Sequence, residues 1–277
     1  MSIERRVLEL MQEYRRSNSK VTVRGKTYYI KEGDLLLDEE ALRLYAEEQA
    51  QAEQERSRPP EGISRLKLVA DPSGRAVRWR KGLVLTYTVR RRPKADDFAA
   101  FESDEEYEAV VDAMFSATSE WENACGINFK HLQEQDELSS AVDDRGPKPL
   151  FEVVKHDYDG SIVASAFFPN TPPQERQVII FSAFFSTDLW FPQVGVLRHE
   201  LGHVLGFRHE HIDPDAPKEC QGEIPGRVID ATIYDPKSVM HYFCGGVGSM
   251  TLEITDLDRA ASSRLYGPPD CEVSYWE

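Results

Sequence analysis

The chain has 277 residues, a formal net charge of −15 and 40% hydrophobic residues. That length can bury a substantial core in one large domain plus an appendage, or in two small domains. The acidic excess argues against a nucleic-acid partner, and no stretch approaches the roughly 18–20 apolar residues of a membrane span.

The chain opens Met1-Ser2-Ile3-Glu4-Arg5-Arg6 and runs into a charged amphipathic segment without the apolar core of a signal peptide. As written it is expected to be cytoplasmic or exported by a non-classical route. Ile3, Val7, Leu10, Met11 and Tyr14 recur at helical spacing. Residues 21–30 alternate and are rich in Val, Thr and Tyr, predicting a strand or hairpin arm. Lys31-Glu32-Gly33-Asp34-Leu35-Leu36-Leu37 follows. Residues 38–58 read as a solvated helix fading into a linker, which Pro59-Pro60-Glu61-Gly62 breaks. A boundary is expected near residues 59–70.

Residues 83–90 predict a strand. Ser103 and Glu106 predict a capping box for a helix whose apolar positions, Tyr107, Val110, Val111, Met114, Phe115 and Trp121, carry it to about Asn123. A strand begins at residues 127–130, residues 133–149 form a loop, and 151–154, 162–168 and 178–181 read as strands. A helix spans about 193–205, residues 210–237 are irregular, and Thr255 with Asp258 caps a last helix ending near Gly267. Alternating strands and helices, with little regular structure after residue 205, imply a sheet-and-helix subdomain facing a small loop-rich one across a cleft.

The chemistry concentrates in His199-Glu200-Leu201-Gly202-His203-Val204-Leu205-Gly206-Phe207-Arg208-His209. On a helix, His199 and His203 lie on one face and can share one metal ion. Glu200 between them can touch the water such a site activates without binding the metal. Gly206 tolerates positive φ, so the helix can stop there and the chain can turn back to bring His209 to the same ion. Three neutral nitrogens leave a fourth tetrahedral position open, the mark of a catalytic zinc site; one Zn2+ ion is expected. His131, His156, His211 and His241 lack ligand spacing and read as surface or turn residues. Cys125, Cys220, Cys244 and Cys271 are even in number without a C-x-x-C pair, which leaves reduced buried thiols and two disulfides both open.

The H-E-x-x-H-x-x-G-x-x-H stretch resembles the metzincin clan of zinc endopeptidases. Ser238-Val239-Met240-His241-Tyr242 resembles the clan's Met-turn. That resemblance implies Met240 as an apolar floor beneath the metal and Tyr242 as the movable zinc ligand that stabilises the oxyanion in astacins and serralysins. His209-Glu210 is similar to the astacin pattern, in which Glu210 would receive the new N-terminus once a proenzyme is cut. Cys125 and Cys271 resemble the cysteines of an astacin disulfide; Cys220 and Cys244 do not fall where the second astacin bridge lies and, if bonded, tie the loop after the zinc motif to the Met-turn. Residues 164–169 and Leu265-Tyr266-Gly267 look more like matrixins. Ser165 stands where a matrixin strand carries a structural-zinc His, so no second zinc is expected. Gly33-Asp34-Leu35 resembles the Gly-Asp-Ile core of the astacin prosegment motif, implying Asp34 as an inhibitory zinc ligand that displaces the water, with Lys31 where that motif starts with an aromatic.

The resemblance covers roughly residues 75–271 and implies an α+β, metzincin-like catalytic domain of a bacterial proenzyme. The fold expected from it is a twisted mixed β-sheet with two long helices, one carrying the zinc motif, and a small irregular C-terminal subdomain with one helix. A prosegment over residues 1–64 would precede a catalytic domain over 65–277, divided into subdomains 65–206 and 207–277. The activity implied is zinc-dependent hydrolysis of peptide bonds with Glu200 as general base, by a monomer, on a protein or peptide laid extended along an edge strand at 162–168. A zinc-binding module that does not cut, and a zinc amidase acting on a non-protein amide, are the rival readings of the same residues.

Overall fold

A computed structural model describes residues 2–17, 19–55, 67–71, 73–93, 98–137, 148–213, 215–220, 228–230 and 232–269. The N-terminal part forms helix α1 (Ile3–Arg16), an antiparallel sheet of β1 (Lys20–Val23), β2 (Lys26–Lys31) and β3 (Leu35–Leu37), and helix α2 (Glu39–Glu55). Ser2 caps α1 by accepting from the Arg5 amide. Helix α2 is less solvated than its composition predicts: Leu42, Tyr45, Ala46, Gln49 and Ala50 are buried. Small alanines let it close on Val7, Leu10 and Met11 of α1, and Arg6 forks onto Glu53 with bonds of 2.7 and 2.8 Å. The hairpin instead packs Val21 and Val23 against Phe98, Val154, Ile162, Ile179 and Phe181.

The remainder comprises β4 (Lys67–Val69), β5 (Val84–Val89), α3 (Asp104–Glu122), β6 (Asn128–His131), β7 (Phe151–His156), β8 (Ala164–Ser165), β9 (Gln177–Phe181), α4 (Gln193–Val204), β10 (Val228–Asp230) and α5 (Asp256–Tyr266). Five strands form a mixed sheet in the order β6-β5-β7-β9-β8; β8 is the antiparallel edge and the other four are parallel. Parallel strands are covered on both faces, and Leu85, Val89, Val153, Val178 and Ile180 are buried accordingly. Trp121 of α3 ties that helix to α4, its indole donating to Arg198 O at 2.9 Å. The fold is α+β: a mixed sheet with α3 and α4, the C-terminal helix α5, and the N-terminal α1, α2 and three-stranded sheet.

Several local expectations change. The strand expected over 162–168 shrinks to Ala164–Ser165: Pro169 has no amide to pair, and Thr171 N bonds back to Phe168 O at 2.8 Å, turning the chain away. The stretch expected to be irregular holds the short β10, which pairs with β4; three residues are too few to show a period. Ser103 does accept from Glu106 N, but the Glu106 carboxylate takes the Glu102 amide instead of closing the box. The box at α5 is complete, between Thr255 and Asp258. Of the expected boundary region, residues 59–66 lie outside the described residues.

Because Leu42 is 0% exposed between α1 and α2, Leu42→Ala should weaken the packing of that pair by about 2–5 kcal/mol. Hydrogen exchange is expected to show α1 and α2 losing protection while β5 and β7 keep theirs.

Candidate metal centre

Helix α4 carries His199, Glu200 and His203, all buried. Its terminal carbonyls need partners: the Trp79 indole donates to Val204 O at 2.7 Å and the Tyr266 hydroxyl to Leu205 O at 2.6 Å. Gly206 then turns at φ 97°, where a Cβ would lie 2.6 Å from Val77 O. Phe207 N closes back on Gly202 O at 3.0 Å, and its ring stacks on Trp121. The reversed chain brings His209 back to the helix.

The result is a convergence of four atoms. His209 Nε2 lies 3.1 Å from Nε2 of both His199 and His203. Asp34 Oδ2 lies 3.2, 3.6 and 3.1 Å from Nε2 of His199, His203 and His209. The opposite ring nitrogens face acceptors: His199 Nδ1 meets Val239 O at 2.7 Å, His203 Nδ1 meets Phe207 O at 2.8 Å, and His209 Nδ1 meets Glu32 Oε2 at 3.0 Å. Carbonyl and carboxylate oxygens only accept, so the Nδ1 atoms hold the protons and the Nε2 lone pairs point at one another. Such a cluster repels itself without a cation at its centre. A tetrahedral zinc with bonds of about 2.0–2.1 Å sets its ligands about 3.3 Å apart, which is the spacing here, and three imidazoles with one carboxylate suit zinc. The electrostatics agree. Burial pulls the His209 ring's pKa down, but the charge of Asp34 and bonds to Asp34 and Glu32 outweigh it and raise it to about 9; burial takes His203 down to about 4. The site draws one positive charge to its middle.

Glu200 is buried, and one of its carboxylate oxygens has no hydrogen-bond partner. Burial, and then the charge of Asp34, push its carboxyl well above the usual range. Met240 is fully buried, its sulfur against Gly202 where a Cβ would collide. Asp258 holds the turn that presents it, accepting from Ser238 Oγ at 2.6 Å and Val239 N at 2.9 Å. Tyr242 lays its ring parallel to His199 at 5.1 Å and donates its hydroxyl to Asp34 Oδ2. Glu210 is buried; its amide donates to Met240 O and its carboxylate accepts from Asp235 N, both at 2.8 Å. Cys220 and Cys244 are bonded, with Cα atoms 5.3 Å apart, tying the loop after the motif to the Met-turn.

Two expectations are corrected. Cys125 is a free thiol turned into the core, 3.6 Å from Trp121 O, so the Cys125–Cys271 bridge does not appear at that residue; Cys271 lies outside the described residues. His211 and His241 are buried, not surface residues: His211 lies 4.7 Å from the His209 ring and 4.8 Å from Tyr242, and His241 bonds the Tyr234 hydroxyl at 2.8 Å. Ligand spacing along a helix cannot reveal rings that a turn stacks against the ligands. His131 is half-buried, bonded to Asp136 and stacked on Tyr87, and His156 packs its ring edge-on against Phe181. Ser165 is buried in β8.

The N-terminal segment enters the site through one turn. Glu32 at φ 51° and Gly33 at φ 100° aim the flanking carboxylates, Glu32 and Asp34, inward together. Lys31 keeps its place without being aromatic, its ammonium 3.5 Å from the centre of the Tyr14 ring. Glu32 pairs with Arg208, accepts from Tyr45 OH at 3.1 Å and contacts His209. The sequence reading missed Glu32 and Arg208. Its one available signal was a second carboxylate two residues before Asp34; the Arg208 partner is remote in the chain and obeys no period. A groove of about 540 Å³ is lined in one part by β3 and the start of α2 and in another by the residues following β8, among them Leu35, Leu36, Ala166 and Phe167.

No protein-family profile matches the chain. A 64-residue stretch is 44% identical to the Bone morphogenetic protein 1 homolog of Strongylocentrotus purpuratus, covering 17% of this chain and 10% of that protein. The chain thus spans about a tenth of the length of that relative. Among solved structures, it is similar to myroilysin, with a TM-score of 0.47 and 14% identity over 69% of this chain and 95% of that one. It is also similar to high choriolytic enzyme 1, a hatching-enzyme zinc protease of Oryzias latipes, with a TM-score of 0.42 and 15% identity over 73% of this chain and 94% of that one.

The two inward carboxylates set a pH dependence. Burial pushes the Glu32 carboxyl up, but Arg208 and His209 outweigh it and hold it at about 2, below its ordinary 4.5. Asp34 is likewise held well below 3.8, the His209 and His203 rings outweighing burial. Depressed values mean that the stabilisation is complete above the ordinary pKa and is lost as pH falls through the depressed one. Hydrogen exchange of β1 to β3 is expected to show protection falling steadily below about pH 5 towards about pH 2, and in the metal-free protein falling again as pH rises from 6.5 through about 9, where His209 loses its charge.

Proposed function

We propose that the protein is a zinc-dependent metalloendopeptidase held latent by its own N-terminal segment. The observation that carries the reading is the convergence of three Nε2 lone pairs on one point, with a buried carboxylate, Glu200, on the same helix. His199, His203 and His209 would hold a zinc ion, which when bound would supply Lewis acidity and lower the pKa of water towards about 7. Glu200 takes the proton as water adds to the scissile carbonyl and passes it to the leaving amine. Tyr242, whose hydroxyl now donates to Asp34, donates to the oxyanion once Asp34 withdraws. Met240 closes the site from below, and the ring stack of His199, Tyr242 and His211 keeps the donors oriented.

A protein or peptide substrate lies extended beside β8, the edge strand with unpaired backbone groups on its outer side. Latency would follow from Asp34, whose Oδ2 lies 3.2, 3.6 and 3.1 Å from the Nε2 atoms of His199, His203 and His209 that would hold the ion. Cleavage between the segment and the catalytic part removes that carboxylate, and the buried Glu210 then takes the new N-terminus by charge pairing. The astacin-like motif residues and the stretch similar to a Bone morphogenetic protein 1 homolog support the same reading.

Casein cleavage tests it. The zinc-loaded full-length protein is expected to be silent. Asp34→Ala, or removal of residues 1–64, should release activity that a chelator abolishes. Adding Glu200→Ala to Asp34→Ala should lower the rate by about 10²–10⁴-fold. If both released forms bind zinc yet leave casein and peptides intact, the protein is a non-cutting zinc module or an amidase, and the protease reading falls.

A further inference from the structure

Two of the three imidazoles find the acceptor for their outer nitrogen within the body of the domain, at Val239 O and Phe207 O. The third does not. His209 Nδ1 faces Glu32, a residue of the N-terminal segment, at 3.0 Å. Accepting the zinc reading of the site, we propose that Glu32 is a positioning residue of the metal centre, so that the N-terminal segment and the metal hold each other in place.

Glu32 is itself strongly constrained. Its side chain is 0% exposed, and its backbone sits at φ 51°, a region that non-glycine residues rarely occupy and that persists only where surrounding contacts require it. One carboxylate oxygen takes the Arg208 guanidinium and the Tyr45 hydroxyl; the other takes His209. Arg208 immediately precedes His209, and its charged and aromatic contacts, Glu32, Glu48 at 3.9 Å and the Tyr45 ring, all belong to the segment. The segment thus supplies the outer acceptor of a ligand and the counter-charge of the ligand's neighbour.

A carboxylate on the outer nitrogen fixes a ligand's tautomer and ring orientation and raises its basicity; losing such a partner typically weakens metal binding about 10–100-fold. Coupling between two binding events is reciprocal. Whatever Glu32 adds to zinc affinity, zinc therefore adds to the docking of the segment, apart from the direct bond through Asp34. Activation would then leave the metal less tightly held than in the latent chain.

The test is zinc affinity of the folded full-length protein by chelator competition, a readout independent of proteolysis. Glu32→Ala is expected to raise the zinc Kd by about 10–100-fold, and added formate, small enough to sit between Arg208 and His209, should recover part of the loss. The same factor should separate Asp34→Ala from the Asp34→Ala/Glu32→Ala pair, since the Glu32 contact does not pass through Asp34. Formate should give nothing in Glu32→Ala/Arg208→Gln, which lacks the anion's cation. A Kd within twofold of wild type in Glu32→Ala, or a weakened one that formate leaves unchanged, overturns the proposal while leaving the zinc site intact. If the wild type holds no zinc, or His209→Ala does not alter its affinity, the reading of the site itself falls.

Discussion

Three imidazole lone pairs aimed at one point form the constraint on which the rest of this structure depends. Ring nitrogens 3.1 Å apart, with the outer nitrogens of the three rings committed to acceptors, are mutually repulsive in the neutral rings, so the arrangement favours a cation among them, a proton on His209 or a metal ion. Much of the fold serves to keep it. The end of α4 is closed by donors from Trp79 and Tyr266. The reversal at Gly206 fits only a residue without a Cβ. The Met-turn hangs from Asp258, which also completes the cap of α5; one buried carboxylate therefore couples the last helix to the floor of the site.

The N-terminal segment has a core of its own and also enters the site. Its helices share Val7, Leu10, Met11, Leu42, Ala46 and Ala50, whereas its hairpin packs against Phe98, Val154, Ile162, Ile179 and Phe181. Its turn carries two carboxylates to the histidines. Burying two carboxylates is unfavourable unless each meets a positive partner. Glu32 meets Arg208, and Asp34 meets the point where the histidines converge. Two turn residues thus connect the segment to the chemistry, while Val21 and Val23 of its hairpin anchor it in an apolar cluster with Phe98, Val154, Ile162, Ile179 and Phe181.

The convergence of His199, His203 and His209 was legible because its geometry is local: i and i+4 on a helix share a face whatever the surroundings, and a glycine at a helix end has one common use. The helices α3, α4 and α5 followed from apolar period and caps for the same reason. What failed to show in the sequence was set by contacts between distant parts. Helix α2 looked solvated because alanine and glutamine read as indifferent until a partner helix covers them. His211 and His241 looked incidental because their burial depends on a turn stacking against other rings. The strand at β8 stopped early because of a proline and a turn bond that periodicity does not weigh.

By itself, then, the sequence determined that three histidines converge, the helix that presents two of them and the α+β class, since these follow from side-chain direction and hydrogen-bonding capacity over a few residues. Tertiary structure alone decided that Glu32 and Asp34 reach the site from the other end of the chain, that Arg208 answers one of them, and that Cys220 rather than Cys125 is bonded. Each of those outcomes depends on which charges and thiols are brought within a few ångströms after the chain has closed on itself. No spacing along the chain encodes that distance.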